Sequence, residues 1–155
     1  MSPAAAYDQV ADVVDAVIGI LETSTALTML AGGRVMGGEL DADEIAHQPR
    51  SAVVVAYSPG GSGQSAPGSR DVTPITVARV DVLAYGETPR QAGLLSGALH
   101  QALKHWGSDS STRVVAHVLV HWCDIIAGPT PYRDARGACV CVRTYDVQHA
   151  DALVT

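Results

Sequence analysis

The chain has 155 residues, 47% of them apolar and 17% charged, and its formal net charge is −6 at pH 7. That length fits one domain with a core of its own, and the acidic balance argues against a nucleic-acid-binding surface, which needs clustered Lys and Arg to displace counterions. No uncharged apolar run approaches the ~18 residues of a membrane span, and the N-terminus lacks the basic segment of a secretory leader.

Phenylalanine is absent and aromatics make up 5%, so the core has to be built from Val, Leu, Ile and Ala, and the valines point to a sheet. Residues 5–22 read as an amphipathic helix. Val10, Val13, Val14, Val17 and Leu21 recur at three- and four-residue spacings, while Asp8, Asp12, Asp15 and Glu22 line another face. Thr23-Ser24-Thr25 interrupts it, and Ala26 to Leu30 adds one more turn before Gly32-Gly33 stops it. Residues 34–49 are polar and expected to be irregular. Residues 1–48 hold eight acids against one base, Arg34. The plain reading is a solubilising face, and the sharper one is a surface that repels polyanions or meets a basic partner.

Ala52 to Tyr57 reads as a short strand with both faces covered. Pro59 to Arg70, rich in Gly, Ser and Pro, is expected to be a mobile loop. Thr73 to Tyr85 alternates as a strand, with a change of phase between Val77 and Val80 that fits either a bulge or burial on both faces.

Thr88-Pro89-Arg90-Gln91 has the capping-box pattern. It opens a helix with the stripe Ala92, Leu95, Leu99, Ala102, Leu103 and Trp106, ended by Gly107. Gly93 and Gly97 inside it each cost roughly 1 kcal/mol against Ala, which predicts close packing against a neighbouring backbone.

Ser108 to Thr112 is a turn, Arg113 to Ala127 a long strand, and Gly128-Pro129-Thr130-Pro131 opens a loop. Gly137 to Asp146 returns as a strand with Cys139, Cys141 and Arg143 on one face and Ala138, Val140 and Val142 on the other. Consecutive strands without a crossover helix imply antiparallel pairing. The expected fold is therefore α+β, a mostly antiparallel sheet of about four strands packed against two α-helices. It forms one domain over 1–155, with a flexible end from about 148.

The chemistry-bearing patterns are weak. Gly61 to Ala66 spells G-x-G-x-x-A, but Pro67-Gly68 follows instead of a helix, and Ser69-Arg70 stands where a phosphate loop requires Lys-Ser/Thr. Three cysteines do not describe a disulfide framework, which suits a reducing cytosol. His117 and His121 would lie about 13 Å apart along a strand. A hairpin centred on Pro131 would set His121 opposite Cys141 and Cys123 opposite Cys139. That arrangement lacks C-x2-C spacing and a fourth ligand, and burial explains the cysteines equally well. No G-x-S-x-G elbow is present. The residues thus point to no cofactor, no metal and no enzyme. A small metal- or ligand-binding enzyme using those two histidines and three cysteines is the reading of another class.

The order of elements resembles the siphophage tail terminator (tail-completion) proteins over roughly residues 8–147. The likeness rests on the opening helix leading through a leucine-rich turn to Gly33-Arg34-Val35, on the Pro49 entry to an apolar strand, and on the strand Thr76 to Tyr85 feeding the helix to Trp106. The closing strands, joined by Gly128 and Asp134 to Gly137, complete it. The loop 59–70 is longer than the family's turn.

This resemblance implies a virion structural protein at the head-proximal end of a tail, assembled in the host cytoplasm as a homohexameric ring. Its partners would be further copies of itself, the tail tube protein and the head-tail connector protein. DNA would pass through the lumen as non-specific cargo, with no membrane involved. Strand 113–127 and its partner 137–146 are the expected subunit contacts. Loops 59–70 and 128–136 would touch tube or connector and order on assembly, through Gly60, Gly61, Ser62, Gly63, Pro129, Tyr132, Arg133, Asp134 and Arg136. A neck or head-completion subunit is the alternative within the same class.

Overall fold

The computed structural model describes residues 12–59, 64–65, 75–104, 106 and 113–153. Helix α1 spans Val13–Glu22, where the Asp12 carboxylate caps the start by accepting from the Asp15 N–H at 3.1 Å. Val13, Ala16, Val17, Ile20 and Leu21 form its buried stripe; the expected beginning of this helix lies outside the described residues. Ser24 in the Thr-Ser-Thr break caps a second helix, α2 (Thr25–Ala31), which ends on Gly32 at φ 59.

The stretch expected to be irregular holds two elements. Strand β1 (Val35–Gly37) is three residues long, too short to show a period. Helix α3 (Ala42–His47) follows, capped by Asp41, whose side chain accepts from the Glu44 N–H at 2.9 Å. Its one buried residue is Glu44, held by the Arg50 guanidinium at 2.5 and 2.7 Å and by the Gln48 amide at 2.9 Å. A helix anchored by a carboxylate has no apolar stripe to read in its sequence.

Strand β2 (Ala52–Tyr57) is covered on both faces, as its composition predicts: Val53 and Val55 join the main core, and Ala52 and Val54 a smaller cluster with Leu40, Tyr85 and Val140. Within the loop expected over 59–70, Gln64–Ser65 forms a two-residue strand, β3, on the edge of β4 (Ile75–Gly86). The phase change in β4 is not a bulge. Its register with β7 (Cys139–Leu153) runs unbroken from Ile75↔Ala150 to Gly86↔Cys139, and Ala78 rather than Val77 belongs with Val80, Val82 and Ala84 in the core.

Helix α4 (Pro89–Lys104) starts as the capping box requires, Thr88 Oγ1 accepting from the Gln91 N–H at 3.2 Å, and Gln91 Oε1 accepts from the Glu87 N–H at 3.0 Å. Its two glycines depart from their expectation: among the described residues a Cβ at Gly93 or Gly97 would meet nothing within 4 Å, so none of these residues' backbone explains them.

The long strand expected over 113–127 is instead a hairpin, β5 (Arg113–Val115) and β6 (Val118–Arg133), turning at Ala116 and His117 with φ of 49° and 64°. Two positive φ values match the twist of paired strands, but Ala-His carries none of the Gly or Asn that announces such a turn. Nor do Gly128 to Pro131 form a loop. Strand β6 runs through them to Arg133, absorbing the extra residues as register shifts between Ile125 and Ala127 and between Ala127 and Thr130. The true turn is Asp134 to Ala138, where Asp134 Oδ1 accepts from the N–H groups of Arg136 and Ala138, both at 2.9 Å. The end expected to be flexible from 148 is strand to Leu153, which pairs with Val118. Its inward position after Val147 is the buried His149, so the apolar alternation fades there although the strand does not.

The α+β class holds, with more elements than the sequence suggests. Among the described residues, seven strands form one sheet in the order β1-β2-β4-β7-β6-β5, with β3 beside β4, and of their pairings only β1–β2 is parallel. Helices α1 and α4 cover one face, burying Ile20, Leu21, Leu95, Leu99 and Leu103 against Val80, Val120, Tyr145 and Val147.

Candidate functional site

Where β5 stops covering it, β6 becomes an edge strand that, among the described residues, pairs with β7 alone. From Asp124 to Arg133 every residue is exposed, whichever way its side chain points. Trp122, Ile125, Ile126 and Tyr132 are among the exposed large apolar residues of the described chain. A long apolar edge is a place where other chains add.

Backbone pairing is obstructed there. Strand β6 carries four register irregularities between Val118 and Thr130, and Pro129 and Pro131 have no N–H to offer. The opposite edge, β1, is three residues long. Its flanks are tied into tight local turns, the Val35 N–H to Gly33 O at 3.0 Å and the Glu39 N–H to Gly37 O at 3.1 Å. With both edges blunted, β6 offers a partner its side chains more than its ladder.

Five of the nine expected contact residues come together on the β6–β7 hairpin: Pro129, Tyr132 and Arg133 on β6, Asp134 and Arg136 in the turn. They lie on a paired strand and a hydrogen-bonded turn instead of in an open loop. Arg136 pairs with Asp134 at 3.2 Å, and Arg133 Nη1 donates to Gly137 O at 3.1 Å. Gly60, Gly61, Ser62 and Gly63 lie outside the described residues.

A polar seam that the helical stripe conceals ties this hairpin to the body. Ser96 is buried within the apolar face of α4 and accepts from Arg143 Nε of β7 at 2.8 Å. One turn further, the His100 ring meets the hydroxyl of fully buried Tyr145 at 2.9 Å. Burial first, then the nearby charges of Arg143 and Lys104, hold the His100 pKa below its usual value. Burial likewise pushes the Tyr145 phenol up.

On the face of the sheet away from α1 and α4, a hollow of about 490 Å³ lies between Leu40, Ile45, Leu83 and Tyr85, with Glu39 and Asp81 also lining it. Among the described residues that line it, none is a His, Cys or Ser. The adjacent cross-strand pairs are polar, Arg79 with Asp146 at 2.9 Å and Thr144 Oγ1 donating to Asp81 at 2.6 Å.

The thiol and imidazole cluster does not assemble. Because the hairpin turns at Asp134 to Ala138 instead of Pro131, Cys141 faces Pro131, Cys139 faces Arg133 and Cys123 faces Val147. His117 sits in the β5–β6 turn. Burial, followed by the Asp124 charge, pushes the Cys123 thiol up to about 12, so it stays protonated and a poor nucleophile at neutral pH. Among the described residues no group of three or more His, Cys, Asp or Glu could hold a metal ion.

The fold is similar to that of a chain in the virion of a native gene transfer agent (GTA) particle. The TM-score is 0.64 at 15% identity, and the match covers 96% of this chain and 99% of that one. At that identity the likeness is one of fold. No protein-family model matches the chain, and no curated protein matches it by sequence.

Proposed function

We propose that the chain is a structural subunit of a phage-like virion, and specifically a tail terminator. Copies of it form a ring that caps the tail tube, joins it to the head connector and lets DNA pass through the lumen. The observation that carries this reading is the fold shared, end to end, with a chain from a virion particle. The position within the tail comes from the resemblance of the element order and its connecting motifs to tail terminators.

Head-to-tail closure of a ring needs two different patches on each subunit. The exposed flank of β6, with Trp122, Ile125, Ile126 and Tyr132, is one such patch. The hydrogen bond from Arg143 to Ser96 ties β7, the strand that supports this flank, to α4. An excess of acids suits a channel for a polyanion, because adhesive Lys and Arg would retard the DNA. A metal-dependent enzyme is the weaker reading, since the residues it would use are scattered.

The test is to image particles made without the chain. Tubes separated from DNA-filled heads, rejoined when the purified chain is added back, are the expected result. Intact particles would overturn the reading, and heads that lose their DNA for want of a neck would favour a head-completion subunit.

A further inference from the structure

We draw no further inference here: the strongest candidate, the exposed apolar patch of the helical layer formed by Met29 and Leu30 of α2 and by Leu94 with the open Gly93 and Gly97 of α4, carries nothing because nothing in the structure shows what covers it.

Discussion

Arg143 of β7 donates its Nε–H to the hydroxyl of Ser96 on α4 at 2.8 Å, although Ser96 occupies a buried position of the helix stripe. The bond joins the helix to the strand that supports the exposed edge. Removing the hydroxyl takes the partner from a half-buried guanidinium donor. Ser96→Ala is expected to lower stability by about 1 kcal/mol, read as a shifted denaturant midpoint with an unchanged slope.

The flank of β6 gives the sharpest separation of assembly from folding. Trp122, Ile125 and Ile126 are exposed, so replacing all three by Ser should change the stability of the isolated subunit by only about 0.5 kcal/mol per site. Ring formation, followed by size-exclusion chromatography with light scattering, should be lost. A triple variant that assembles like the parent would remove this strand from the contact.

Gly93 and Gly97 carry the entropic cost of glycine in a helix, with no close neighbour among the described residues to justify it. Gly93→Ala and Gly97→Ala should each stabilise the subunit by about 1 kcal/mol, measured by thermal unfolding. If either variant is more stable yet assembles poorly, the outer face of α4 is itself a contact.

The β5–β6 turn holds Ala116 and His117 at positive φ. Non-glycine residues there cost about 1 kcal/mol. His117→Gly should recover that amount in a chemical denaturation curve. A loss of stability would show that the imidazole makes contacts worth more than the strain.

Acid should weaken the subunit in two windows. The folded pKa of His100 lies below the ordinary 6.5. The unfolded chain therefore binds the proton more readily, and the contribution is full above 6.5 and fades as pH falls through the folded value. Glu44, whose pKa the Arg50 hydrogen bond lowers from 4.5, behaves the same way in its own range: full above 4.5, lost below. Melting temperature followed from pH 8 to pH 3 should fall in both ranges, and His100→Gln should remove the upper one alone.

The two long helices, β2, β4 and the antiparallel core are legible in their apolar residues: the helices carry unbroken stripes, β2 a continuous apolar run, and β4 an alternation broken only by its change of phase between Val77 and Val80. Ala92, Leu95 and Leu99 mark α4 as plainly as Val53 and Val55 mark β2. What escaped lacks a period. Helix α3 is anchored by Glu44, β1 and β3 are two or three residues long, and the hairpin turn at Ala116 and His117 uses residues that announce no turn. The Gly128-Pro129 pair misled in the other direction, because a bulged edge strand tolerates the residues that usually end one. The sequence places the expected contact residues of the hairpin without the register that brings them together, since an error of a few residues in the turn changes every cross-strand neighbour.

Assembly of the proposed tail terminator into a closed ring is read by native mass spectrometry of the purified chain, with negative-stain images of the same sample. The expected result is a closed oligomer of discrete mass with a central hole, formed alone or on the tip of added tail tube. A chain that stays monomeric at high concentration and leaves tube tips uncapped would contradict it.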